Sequence, residues 1–128
     1  MTHPLVLVVD DDPDILEAIC DILEAEGYRV ARARHGEEAL ARVEAQRPDV
    51  ILLDLMMPVM DGVAFAQALR LQPAVRDVPI VVISADGNPQ RAAAVGATGY
   101  LAKPFDIDSL LAHVSGIAGG ASARTDAR

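Results

Sequence analysis

At 128 residues, 52% of them apolar, the chain has material for one domain with a single core, and two unrelated domains would not fit. A formal net charge of −8 argues against a nucleic-acid-binding surface, which needs clustered Lys and Arg to neutralise phosphates. The single cysteine, Cys20, excludes an internal disulfide; with no signal-peptide pattern and no membrane-length apolar run, a cytoplasmic setting is expected. Leu5 to Val9 is a continuous aliphatic run rich in β-branched residues and reads as a buried strand. Ile15, Ile19, Ile22 and Leu23 then recur at helical spacing, with Cys20 as plain core in the same pattern and Gly27 after the helix. Tyr28 to Ala33 is a weaker strand, and Ala39, Leu40 and Val43 mark a second helix. Pro48 precedes a third strand, Val50 to Leu53; Ala66 and Leu69 mark a third helix. Ile80 to Ile83 is the fourth strand, and Asn88-Pro89 reads as an N-cap with proline at the first helical position. Tyr100 to Ala102 is a weak fifth strand before a closing helix from about Asp106 to Ile117, with Leu110, Leu111 and Val114 on one face. The domain is expected over residues 1–118, and 119–128, rich in Gly, Ala, Ser and Arg, as a flexible tail.

Five strands alternating with five helices predict an α/β fold. Parallel neighbours need crossover helices, and right-handed crossovers place helices on both faces of the sheet. The expected architecture is a flavodoxin-like, doubly wound, five-stranded parallel sheet of order 2-1-3-4-5. Ligands in such sheets bind beyond the carboxyl ends of the strands, at the switch point between the first and third.

Polar residues stand at those ends: Asp10, Asp11 and Asp12 after the first strand, Asp54 after the third, Ser84 after the fourth and Lys103 after the fifth. Several carboxylates in one small volume repel and need a cation or protons. Magnesium, which takes one or two carboxylates with waters and a phosphate oxygen, suits a site this sparse. The alternative for the trio is a solvated turn capping the next helix, a role that Asp12 can hold alone. Asp54 is either a loop aspartate satisfying backbone amides or a nucleophile that takes a phosphoryl group as an acyl phosphate. Lys103 stands before Pro104, which holds it in extended or turn geometry, and a cis bond there is one way to aim it inward. His3, His35 and His113 lie apart and read as surface residues.

The segments LVLVVDDD, ILLDLMMPVMDG, VVISA and GYLAKPF together resemble the receiver domains of two-component response regulators, the chemotaxis regulators among them, from about Leu5 to Ile117. The resemblance implies that Asp54 is the phospho-acceptor, Asp11 a direct Mg2+ ligand, Asp10 a ligand through water and the Met56 carbonyl a further ligand, with Mn2+ able to substitute. It implies that Ser84 and Lys103 bind phosphoryl oxygens and that Tyr100 swings inward on activation. For Tyr100 the plain alternative is core packing, since the chain has only four aromatics. The implied donor is a phosphohistidine on a sensor histidine kinase or phosphotransfer protein. The implied product is a conformational signal; the domain is not an enzyme beyond its own phosphorylation and dephosphorylation, and it touches neither nucleic acid nor membrane.

Two departures from the family pattern stand out. From Ser84 to Lys103 the chain is about three residues short, which leaves room for a fourth helix of only about two turns. GATGY lacks the acidic pair of receivers that dimerise ahead of winged-helix domains, so a monomer or weak phosphorylation-dependent dimer is expected. Met56 and Asp86 stand two residues beyond Asp54 and Ser84, where the family controls water access; apolar Met56 points to slow self-dephosphorylation, whereas the Asp86 carboxylate is able to orient water. A pseudo-receiver serving as a constitutive interaction module is the main alternative. A hydrolase of the haloacid-dehalogenase type would need an aspartate where Met56 stands.

Overall fold

The computed structural model of the chain describes residues 3–55, 62–85 and 89–118. Strands and helices alternate as β1 (Leu5–Val9), α1 (Pro13–Ala25), β2 (Arg29–Ala33), α2 (Gly36–Ala45), β3 (Val50–Asp54), α3 (Gly62–Arg70), β4 (Ile80–Ser84), α4 (Pro89–Ala94), β5 (Gly99–Ala102) and α5 (Ile107–Ala118). Every strand pairing is parallel, and the sheet order is β2-β1-β3-β4-β5, as the alternation predicts.

The central strands β1, β3 and β4 are buried at every position, which is why they read as unbroken aliphatic runs. Alternate side chains face opposite layers. Val6, Val8, Leu52 and Ile83 pack under Leu16, Ile19 and Leu23 of α1 and Leu110 and Val114 of α5. Leu7, Ile51, Leu53 and Val82 face the other way, under Ala39 and Val43 of α2, Phe65 and Leu69 of α3, and Ala92 of α4. Each buried Leu or Ile contributes roughly 1.5–3 kcal/mol. Cys20 lies wholly inside the α1 layer, where burial pushes its thiol up to about 11 and leaves it inert.

The helix ends explain the boundaries. Asp12 caps α1 by accepting from the Asp14 and Ile15 amides at 2.9 and 3.3 Å, Pro13 follows at the first helical position, and Gly27 turns the chain away with φ +94°. At α2 an imidazole does the same work: His35 Nδ1 accepts from the Glu38 amide at 3.2 Å, while Glu38 Oε1 accepts from the Arg34 amide at 2.7 Å. His35 and His113 are therefore half-buried with local roles, and of the three histidines only His3 is exposed as expected. Tyr28 lies one residue before β2, buried against the α1 layer. Asp54 and Ser84 prove to be the last residues of their strands rather than the first beyond them, because the ladder runs on to pair Asp54 with Ile83 and Ser84 with Ala102. α4 has six residues, close to the two turns expected; Pro89 opens it, while Asn88 and the 119–128 segment lie outside the described residues. Among the described residues no helix is long and apolar enough to cross a membrane.

Replacing the α1 cap tests this account. Asp12→Ala is expected to lower the unfolding free energy by about 1 kcal/mol. In urea titrations the midpoint falls and the slope stays unchanged, because the same surface is exposed on unfolding.

Candidate functional site

Parallel strands deliver all their carboxyl ends to one rim, so residues distant in sequence meet there. Asp10 leaves β1 with its amide donating to the Ala33 carbonyl at 3.1 Å, which extends the ladder by one residue and fixes the side chain. Its Oδ1 accepts from the Asp12 amide at 2.9 Å and its Oδ2 from Lys103 Nζ at 3.1 Å. Asp10, Asp54 and Ser84 are only 1%, 4% and 1% exposed and are the buried polar residues among those described. Among the described residues, tyrosine hydroxyls aside, buried polar side chains thus gather at this rim, where packing alone would favour apolar ones.

Ligand oxygens of Asp10, Asp11 and Asp54 lie within 4.8 Å of one another, with Asp11 on the exposed side. At that separation two carboxylates repel by about 3.5 kcal/mol at an effective dielectric of 20. Lys103 Nζ, 3.1 Å from Asp10 Oδ2 and 3.6 Å from Asp54 Oδ2, offsets part of the repulsion. Three carboxylates against one ammonium leave two negative charges, the complement of a hard divalent cation with oxygen ligands. Burial alone would depress the Lys103 pKa, but its hydrogen bond and charge contact with Asp10, then those with Asp54, outweigh burial and raise it.

Lys103 is held by its backbone as well: its amide donates to the Ser84 carbonyl at 2.9 Å, and the Lys103–Pro104 bond is cis. The structure therefore brings together Asp10, Asp11, Asp54 and Lys103, with Ser84 buried on the neighbouring strand end. Tyr100 pairs in register with Val82 and packs against the α2–α4 layer, with its hydroxyl buried and without a hydrogen-bond partner among the described residues. Met56 and Asp86 lie outside the described residues.

Two features at the rim escape a reading of the sequence. One is an apolar groove beside Lys103, lined by Phe105, Ile107 and three residues that helical periodicity places on the apolar face of α1, Ile15, Ile19 and Ile22. The available signal was the width of the α1 stripe, since Ile15 and Ile22 are only half-buried. The other is Gly62, whose amide donates to the Leu55 carbonyl at 3.1 Å just past Asp54.

A family model for the response regulator receiver domain matches residues 6–115. The transcriptional regulatory protein PrrA of Mycobacterium tuberculosis is 43% identical over 120 residues, which are 91% of this chain and 51% of that protein. The DNA-binding dual master transcriptional regulator RpaA of Synechocystis is 39% identical over 114 residues, 87% of this chain and 47% of that protein. The chain thus spans about half the length of these curated relatives. The chemotaxis response regulator CheY4 of Vibrio cholerae superposes with a TM-score of 0.84 at 39% identity, over 91% of this chain and 99% of that one. The receiver domain of sensor histidine kinase PA1611 from Pseudomonas aeruginosa, solved with magnesium in its active-site cleft, gives 0.85 at 32% identity, over 93% and 100%.

The raised Lys103 pKa has a definite sign in stability. Its ion pairs stabilise the fold fully below the ordinary value of 10.5 and lose that effect as pH rises through the higher folded value. In magnesium-free buffer the stability difference between the wild type and Lys103→Met is expected to stay constant from about pH 8 to about pH 10 and to shrink above it. For Tyr100, removing the unpartnered hydroxyl as Tyr100→Phe should raise the unfolding free energy by about 1 kcal/mol in thermal or urea melts.

Proposed function

The chain belongs to the response-regulator receiver family of two-component signalling, and on that premise we propose that Asp54 accepts a phosphoryl group from a phosphohistidine. The observation that carries this reading is the buried Asp54 carboxylate, 3.6 Å from Lys103 and within 4.8 Å of two further carboxylates. An Asp54 oxygen attacks phosphorus, the N–P bond of the donor breaks as the O–P bond forms, and the imidazole leaves to take its proton from solvent. Asp10, Asp11 and Asp54, with the Met56 carbonyl, are the proposed Mg2+ ligands, Asp10 acting through water and Mn2+ able to substitute. A bound Mg2+ supplies neutralisation of charge on the phosphoryl oxygens.

Lys103 Nζ, held by Asp10 at 3.1 Å, then pairs with one phosphoryl oxygen, and the Ser84 hydroxyl donates to another. These new contacts bias a two-state equilibrium in which Tyr100 is the reporting side chain. A full reversal of such an equilibrium takes about 5 kcal/mol, within reach of several charge-assisted hydrogen bonds. The donor is a sensor histidine kinase or phosphotransfer protein, and the apolar groove beside Lys103 offers it contact surface next to the reacting carboxylate. We assign a cytoplasmic receiver over residues 1–118 with 119–128 as a tail. It acts as a monomer or weak phosphorylation-dependent dimer, without further catalysis beyond slow loss of its own phosphoryl group. A pseudo-receiver is disfavoured because a module without this chemistry has no reason to bury like charges together.

Acetyl phosphate with Mg2+ tests the assignment. Mass spectrometry is expected to show one added phosphoryl group on the wild type, lost when Mg2+ is chelated and absent in Asp54→Asn. Undiminished labelling of Asp54→Asn would overturn it.

A further inference from the structure

We infer that Gly62 is a positioning residue for Asp54: its missing side chain lets the start of α3 seat against the end of β3 and hold the Asp54 carboxylate in metal-binding register. The inference rests on the reading of Asp54 as the phospho-acceptor. A Cβ at Gly62 would lie 2.6 Å from Leu55 Cδ2, 2.7 Å from Leu55 Cα and 3.0 Å from the Asp54 carbonyl oxygen. Two of those three atoms are backbone, so a rotamer change in Leu55 relieves only the first. The backbone of Gly62 is not left-handed, so what the position demands is space and not a special φ. It opens α3, where propensity alone would favour alanine.

Neither side of the contact gives easily. α3 is pinned one turn on by Phe65 and Ala66 and two turns on by Leu69, all essentially fully buried, and Leu55 is 2% exposed. The Gly62 amide is tied to the Leu55 carbonyl at 3.1 Å, and Asp54 is paired with Ile83 in the ladder. A displacement of several tenths of an ångström therefore falls on Asp54 and Leu55, and with them on a carboxylate set by its distances to Lys103, Asp10 and Asp11. Magnesium tolerates little departure from octahedral geometry, so its affinity registers such a displacement.

The test titrates Mg2+ calorimetrically into the full chain as wild type, Gly62→Ala and Val43→Ala, the last a destabilised core control away from the rim. Gly62→Ala, folded by circular dichroism, is expected to bind Mg2+ about tenfold more weakly and to be labelled correspondingly more slowly by acetyl phosphate, while Val43→Ala keeps the wild-type affinity. Wild-type Mg2+ affinity in folded Gly62→Ala overturns the inference. Should Gly62→Ala not fold, Leu55→Ala/Gly62→Ala is compared with Leu55→Ala. Weaker binding in the double variant supports the role of the backbone contacts, and equal binding overturns it. Absence of labelling on the wild type would instead refute Asp54 as acceptor, while the Mg2+ comparison still decides what Gly62 positions.

Discussion

Like-charge repulsion among Asp10, Asp11 and Asp54 is the constraint around which the rest of the molecule is arranged. Carboxylates this close do not stay together unless the backbone beneath them is stiff and a cation lies above them. The stiffness comes from the sheet: Asp54 is still within the β3–β4 ladder, and Asp10 is one residue past β1 with its amide already committed to β2. The cation intrinsic to the chain is Lys103, aimed by a backbone bond to the Ser84 carbonyl. Burial of the strands thus serves the rim directly, because the five aliphatic residues of β1 and the four of β3 and of β4 fix where the next residue, Asp10, Asp54 or Ser84, stands.

Phosphoryl transfer asks little of a protein beyond positioning and charge compensation, and the receiver site meets both with few groups. Lys103 is shared between two carboxylates in the resting arrangement, at 3.1 and 3.6 Å, so its partners are already in competition before any phosphoryl group arrives. A newly formed acyl phosphate enters that competition with more charge than either carboxylate. On the proposed function, chemistry at Asp54 is in this way converted into a redistribution of one ammonium group, and the strand that ends one residue before Lys103 carries Tyr100.

Much of this was legible in the sequence because it depends on local patterns. β-branched runs and helical spacing sufficed for the five strands and their alternation with helices, the flavodoxin-like architecture expected from that alternation supplied the order, and the residues at the strand ends pointed to the rim. What the sequence did not carry is tertiary in origin. The ladder extends through Asp54 and Ser84 because neighbouring strands continue beside them, a fact absent from either segment alone. His35 was read as surface because imidazole is an uncommon N-cap, and its role needs Glu38 and Arg34 folded around it. Gly62 is the second residue of an ordinary-looking Asp-Gly pair, and nothing in that pair reveals that Leu55 and the Asp54 carbonyl lie within 3.0 Å of where its Cβ would be. The groove beside Lys103 is lined by α1 and by the segment leading into α5, so neither segment alone reveals it.

The brevity of α4 bears on the timescale of signalling. A six-residue helix is far below the length at which an isolated helix holds together in water, so its turns depend on packing such as that of buried Ala92. A helix this short is expected to open more readily than the fully buried central strands. This helix belongs to the layer that packs on Tyr100, so its local opening would loosen the surroundings of that side chain before the sheet beneath it. On the proposed function, a phosphoryl group at Asp54 would act by shifting such a local equilibrium, without rearrangement of the core.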